Sequence, residues 1–241
     1  DVRKGQFGLL LAQFFVQAFM LPIILYVGKG NKAAGMETVM TWLAITGTLL
    51  LVITFLTTKE RIIPTEEQKS SVKEDLKDLS QNKPWIIMLV MTILIFITLA
   101  MKGGSYVYYF NYYVDKASLE NFLHPIISFL NSIGLNFFGN DLASAGFGLF
   151  NAAGIIFSMV GIAISSRFAN RFGKRDVFQL TLFISTLFIL SFVFYSPKSV
   201  GLMYLSQMLH MFFYGVTTPI LWAMIADVAD YSEWKTNRRA T

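Results

Sequence analysis

Near its C-terminal end the sequence places Asp227, Asp230 and Glu233 three residues apart, followed by Lys235, Arg238 and Arg239. On a helix that spacing puts the three carboxylates on one face. Like charges repel there, and acids at a helix C-terminus oppose its dipole. Cations relieve that conflict, and the candidates are Arg238 and Arg239, or Arg167 and Arg171 in the preceding basic turn Arg167–Arg175. Such a set could act as a charged latch, with Asp227, Asp230, Glu233, Arg167, Arg171 and Arg239 as gate residues. It could equally be a solvated helix end, and the basic turn a mark of topology alone.

Two further groups stand inside apolar stretches. Lys102 is a cation amid hydrophobic residues, where charge is costly and faces a cavity or a partner. Its long stem could instead snorkel to a membrane boundary. Gln207, His210, Tyr214 and Thr217 follow helical spacing and form a polar stripe, fit either to bind hydroxyl groups or to satisfy helix packing. Gln13 and Gln17 make a shorter stripe for which packing is the better account. Gly154, Ser158, Gly161 and Ser165 recur at four, three and four residues, a small-residue face for close helix approach. Hydrolytic and phosphate-binding motifs are missing: there is no HExxH, GxxxxGK[ST] or GxSxG, and only two histidines are present. No catalytic residue and no metal site are expected, and the chain reads as no enzyme. With no cysteine, thiolate ligands are excluded.

The elements that must hold these groups follow from hydropathy. Of the 241 residues, 54% are hydrophobic and 15% charged, with a mean hydropathy of +0.54. Roughly a quarter of an ordinary soluble chain is charged. A net charge of +5 does not indicate nucleic acid, because the cations lie between apolar blocks rather than in one stripe. About 20 apolar helical residues cross a bilayer. Six stretches reach that length: Phe7–Val27, Thr38–Thr57, Trp85–Tyr113, Leu142–Ser165, Val177–Tyr195 and Val200–Ala226. Pro84 suits a first helical position, and Trp85 and the tyrosines at 106, 108, 109, 112 and 113 suit the lipid–water boundaries. The polar connection Thr58–Lys83 holds Ser71 and Glu74, a capping box for a short helix with Val72, Leu76 and Leu79 on one face. Asn121–Asn140 is amphipathic but too interrupted to span; it lies on the outer surface or packs on the helix ends.

Alternate connections differ in charge. One side holds Arg3, Lys4, the six cations from Lys59 to Lys83, the four from Arg167 to Arg175, and Lys235, Arg238 and Arg239. The other holds Lys29, Lys32, Lys116 and Lys198. The basic side is cytoplasmic by the positive-inside bias, which puts both chain ends there in a multi-pass cell (inner) membrane protein.

Three segments carry a family resemblance. Trp222–Arg239 resembles the signature after the tenth helix of the glycoside–pentoside–hexuronide:cation symporters, the melibiose-permease-like branch of the major facilitator superfamily. Thr58–Arg61 leading to Asn82–Trp85 resembles their central linker, and Tyr108–Tyr112 the tyrosine-rich part of their seventh helix. The resemblance implies an all-α membrane fold of twelve helices, of which this chain holds helices five to ten. Residues 1–57 would close the N-terminal bundle, 58–84 form the cytoplasmic linker, and 85–241 open the C-terminal bundle. It implies a secondary active transporter coupling a sugar, glycoside or hexuronide to Na+ or H+ by alternating access. No cofactor is expected, and the coupling-cation site would lie outside this chain. Lys102, Tyr109, Gln207, His210, Tyr214 and Trp222 are the candidate substrate contacts. Position 218 is Thr where melibiose permease has a sugar-site tryptophan, so the sugar is open. The alternatives are a lipid or amphiphile carrier of the same fold, a membrane-embedded glycosyl-transfer enzyme using Asp227 and Asp230, and a structural membrane subunit.

Overall fold

The computed structural model describes residues 2–29, 31–59, 72–134 and 142–236. All of its regular elements are helical. In chain order they are α1 (Val2–Val27), α2 (Lys32–Thr57), α3 (Val72–Gln81), α4 (Lys83–Tyr108), α5 (Lys116–Ser132), α6 (Leu142–Phe172), α7 (Lys174–Leu190) and α8 (Val200–Thr236). Among the described residues, α2, α4, α6, α7 and α8 are long and apolar enough to cross a membrane. The remaining expected span corresponds to α1, whose 26 residues reach about 39 Å at 1.5 Å per residue.

Local chemistry sets where these helices begin. Asn31 accepts from the Ala33 and Ala34 amides at the start of α2. Asn82 does the same for Trp85 at 3.2 Å, and Pro84 follows in the first turn of α4. Each cap satisfies an amide the helix itself leaves unpaired. The short linker helix is present as α3; Ser71, its expected cap, lies outside the described residues. Beyond Tyr108 the helix widens into a π turn, Tyr109–Tyr113, closed by the Val114 amide on the Tyr109 carbonyl.

Several expected boundaries move. α6 continues to Phe172, so Arg167 and Arg171 are helical rather than parts of a turn, and α8 continues to Thr236, carrying Asp227, Asp230 and Glu233 on one helix as their spacing implies. The expected basic turn shrinks to Gly173, whose φ of +86° is one that residues with a Cβ avoid, and α7 starts at Lys174. The expected span ending at Tyr195 leaves the α-helix at Leu190 and finishes as a 3-10 turn over Ser191–Phe194. Hydropathy marks the part of a helix that sits in lipid, whereas the helix itself runs on into water.

The interrupted stretch after Asp115 is the amphipathic helix α5, which begins before Asn121 and ends at Ser132; residues 135–141 lie outside the described set. Leu119 and Leu123 are fully buried under it while Glu120 and His124 face outward. The stretch is thus an amphipathic helix rather than a loop, and it packs on the bundle through Leu119 and Leu123. Asp115 caps it, accepting from the Ser118 hydroxyl at 2.7 Å and amide at 2.9 Å.

α6 and α8 pack along most of their length because glycines let their backbones meet. A Cβ on Gly215 would stand 2.8 Å from Ser158 Cα, and one on Gly161 3.0 Å from the Val216 amide nitrogen. The small-residue face expected on α6 is this interface, with Gly154, Ser158, Gly161 and Ser165 all buried. Two apolar clusters close the bundle at opposite ends. One gathers Tyr106, Phe110, Leu119, Leu123, Phe150, Met203 and Tyr204; the other joins Met88, Val177, Phe178, Val216, Ile220 and Leu221. Outside them α2 shows an almost continuous apolar surface, including Leu49, Leu50, Leu51, Phe55 and Leu56. Such a surface suits lipid or neighbouring spans, since every backbone polar group is satisfied within the helix.

Candidate functional site

Between the two apolar clusters lies a polar layer. Its centre is His210 on α8, which is 2% exposed. The Lys102 ammonium on α4 approaches His210 Nε2 at 2.8 Å. On the other side of the ring, Nδ1 lies 2.8 Å from the Ser185 hydroxyl and 3.1 Å from the Ser185 carbonyl on α7. An ammonium can only donate, so Nε2 accepts and the ring proton sits on Nδ1, pointing at Ser185. Three helices are tied by this chain of bonds. Lys102 also donates to Met211 Sδ at 3.6 Å and stands 5.7 Å above the Tyr106 ring. Of its two sequence-level accounts, the inward one is realised: Lys102 turns to the bundle interior and does not snorkel outward.

Lys102 borders a cavity of about 420 Å³, within the range of small-molecule sites. α1 supplies Gln13 to its wall; α4 supplies Lys102 and Tyr106, α6 Asn151 and Ser158, and α8 Gln207, Tyr214 and Thr218, among apolar neighbours. Gln207 Oε1 and the Tyr106 hydroxyl are buried with no hydrogen-bond partner. An unmet buried acceptor or donor costs about 1–3 kcal/mol, so both atoms favour a ligand that can pair with them. Gln13, expected to serve packing, also lines this cavity; the Gln17 side chain lies outside the described residues.

The structure thus brings Lys102, Gln207, His210 and Tyr214 together, His210 through Lys102. The other two candidate substrate contacts sit elsewhere. Tyr109 packs on Tyr113, with ring centroids 4.8 Å apart, and on Phe192. Trp222 lines a separate cleft of about 330 Å³ with Asn170, Lys174, Pro219 and Ala226. From the polar stripe on α8, Thr217 returns its hydroxyl to the Tyr214 carbonyl at 2.6 Å and serves the helix. Asn151, Ser185 and Tyr106 were missed as site residues. A lone Asn within an apolar helix was the available signal for Asn151, whereas nothing in the sequence distinguished Ser185 from hydroxyls that bond their own helix.

At the end of the bundle marked by Gly173, Asp227 receives both hydrogen bonds of the latch from Lys174, at 2.7 and 2.8 Å. Of the expected partners, Arg238 and Arg239 lie outside the described residues, and Asp227 takes Lys174 in place of Arg167 and Arg171. Both point outward from the end of α6, with the Arg171 guanidinium 5.3 Å from the Phe172 ring. Lys174 wins because Gly173 turns the chain directly beneath α8. Asp230 and Glu233 lie exposed on the same helix as Asp227, and Arg239 lies outside the described residues. Among the described residues no group of His, Cys, Asp or Glu has the arrangement of a metal site.

A family model described as MFS/sugar transport protein matches residues 2–139 and 126–241. YagG of Escherichia coli (strain K12), named a glycoside/cation symporter, is 29% identical over 93% of this chain and 43% of its own length. The inner membrane symporter YicJ of the same organism is 25% identical over 92% of the chain and 42% of its own. The isoprimeverose transporter of Lactiplantibacillus pentosus is 23% identical over 98% of the chain and 44% of its own. No solved structure matches. The chain therefore spans under half the length of these relatives. With its apolar helices and these matches, the chain belongs to the MFS/sugar transport family, in its melibiose-permease-like branch.

Proposed function

We propose that this chain forms part of a secondary active transporter that moves a sugar, glycoside or hexuronide together with Na+ or H+ by alternating access. The observation that carries the reading is the cavity of about 420 Å³ in the middle of the bundle, walled by α1 on one side and by α4, α6 and α8 on the other. Its lining offers amide, hydroxyl and ammonium groups in an otherwise apolar interior, the donor and acceptor set that sugar hydroxyls require. α1 and α2 would belong to one bundle and α4–α8 to the other, with residues 58–84 between them. Rocking of the two bundles would then open the cavity to each side in turn.

Lys174 and Asp227 mark the face rich in lysine and arginine, which we take as cytoplasmic. Their ion pair would help hold that face in one of the two conformations. The names of relatives that mention glycoside/cation symport and isoprimeverose support the substrate class. Coupling needs cation and sugar to favour shared conformations, because a ligand shifts an equilibrium only by its differential affinity.

The test is uptake of a labelled glycoside by the full-length protein in sealed vesicles. Accumulation that requires an imposed Na+ or H+ gradient is the expected result. Uptake indifferent to both gradients would overturn coupling, and lipid movement without glycoside uptake would place the protein among amphiphile carriers.

A further inference from the structure

His210 and Ser185 stand outside the cavity of about 420 Å³, yet a chain of hydrogen bonds joins both to it through Lys102. Among the described residues, none of α7 lines that cavity. Lys102 borders it and also a second, more apolar cleft of about 240 Å³, where Thr98, Ser185, His210 and Tyr214 are neighbours. A lysine stem is flexible and its ammonium turns freely. With space on both sides, an acceptor must decide where that ammonium stands. His210 Nε2, at 2.8 Å, is that acceptor.

The imidazole is fixed in turn from α7. On that helix Thr181 and Thr186 return their hydroxyl protons to carbonyls of their own helix. Ser185 reaches across instead, and its hydroxyl donates to the His210 carbonyl at 3.3 Å. A hydroxyl has one proton to give, so its oxygen meets Nδ1 as an acceptor, at 2.8 Å. The Ser185 carbonyl stands 3.1 Å from the same nitrogen. Two acceptors on Nδ1 select one tautomer and leave Nε2 bare. The Tyr214 ring, stacked with its centroid 6.0 Å away, braces the face of the imidazole.

We propose that Ser185 and His210 are positioning residues of the transport site. Ser185 locks His210 with its proton on Nδ1, and the bare Nε2 fixes the Lys102 ammonium at the cavity wall, where it donates to an oxygen of the bound glycoside. The proposal rests on the transport reading above and adds to it a helix, α7, that acts on the cavity without lining it. Neither residue touches the sugar. Loss of either frees the ammonium to swing toward the second cleft, and the cost falls on affinity.

The experiment has two arms, both on the full-length protein. One is the nitrogen NMR spectrum of isotope-labelled histidine, with His210 identified as the signal lost in His210→Gln. It should show a protonated Nδ1 and a bare Nε2. The other is initial uptake in vesicles of labelled para-nitrophenyl β-glucoside, β-xyloside and β-glucuronide, read as KM and maximal rate for whichever the parent accumulates. His210→Phe keeps a ring and removes both nitrogens. It should raise KM roughly tenfold, the scale of a lost hydrogen bond to a charged group. Ser185→Ala should raise KM severalfold. His210→Gln, whose amide oxygen can replace Nε2 as the acceptor, should recover most of the affinity lost in His210→Phe. A merely structural role would lower the amount of folded carrier, and so the maximal rate, without moving KM. A protonated Nε2 in the parent, a KM unmoved by His210→Phe, or a His210→Gln no better than His210→Phe overturns the inference while leaving sugar transport standing. Should His210→Phe not fold, Ser185→Ala decides, and a parental KM in that variant overturns the inference. A parent that accumulates none of the three glycosides overturns the transport reading and this one with it.

Discussion

Replacing Gly161 or Gly215 by alanine tests the packing that builds the site. A Cβ on Gly161 would lie 3.0 Å from the Val216 nitrogen and closer still to the Phe212 carbonyl oxygen; on Gly215 it would lie 2.8 Å from Ser158 Cα and closer still to the Ser158 oxygen. Every one of these neighbours is helix backbone, which cannot rotate aside as a side-chain tip can, so α6 and α8 must separate. Overpacking of this kind costs about 1–3 kcal/mol. Alanine returns up to about 1 kcal/mol through its better helix propensity. With backbone on both sides the upper part of the range applies, leaving a net loss of about 1–2 kcal/mol for each variant. The two sites share one interface, so separation forced by the first makes room for the second. The double variant should lose less than the sum, by at least about 0.5 kcal/mol. Gly104, with nothing near its Cβ position, is the control, and Gly104→Ala should be neutral or stabilising. The assay is the unfolding midpoint in detergent for the four variants and the parent. If Gly161→Ala and Gly215→Ala are as stable as the parent, the close α6–α8 contact is wrong.

Three further outcomes follow from other parts of the structure. Asp227→Asn or Lys174→Gln should impair transport by the full-length protein while leaving membrane insertion intact, and the reciprocal exchange Lys174→Asp with Asp227→Lys should restore part of it. Because both side chains are about half exposed, the pair contributes at most about 1 kcal/mol to stability, and the unfolding midpoint should barely move. Asn82→Ala removes the cap from α4 and should cost about 1 kcal/mol in the same assay. The hydroxyl and then the amide of Ser118 hold the Asp115 carboxyl below its ordinary value of 3.8, so the capping contribution is full above that pH and is lost as pH falls below it. Pepsin cleavage within residues 116–132, taken relative to an unstructured reference peptide at each pH, should accordingly rise as pH drops below that point, and Asp115→Asn should remove that relative rise.

The spans were legible because lipid imposes a length and a polarity that few soluble sequences meet, and the small-residue face of α6 named its own role. Helix ends were less legible. Arg167, Arg171 and the residues from Asp227 to Lys235 are polar, yet a helix leaving the membrane keeps its hydrogen bonds in water, so hydropathy cannot show where it stops. The latch partner turned on one residue: Gly173 brings Lys174 under Asp227, a placement that counting charges does not reveal. In the site, Lys102 and His210 were recognisable as costly groups in an apolar setting. Their pairing was not, since 108 positions separate them and only the packing of α4 on α8 joins them. Gln13 and Ser185 look like ordinary helix polarity until the opposite helix is known. Trp222 was grouped with the substrate contacts through its place in the closing motif, and one further turn along α8 carries it to the Lys174 cleft.

These 241 residues contain no cysteine, so once any cysteine elsewhere in the full-length protein is replaced by serine the central claim is directly measurable. Asn151→Cys in that cysteine-free full-length background, reconstituted in vesicles, should react with a small charged methanethiosulfonate reagent, and a transported glycoside should slow that reaction severalfold. An unreactive thiol, or a reaction that no glycoside slows, would contradict a water-filled substrate cavity between α1 and the helices α4, α6 and α8.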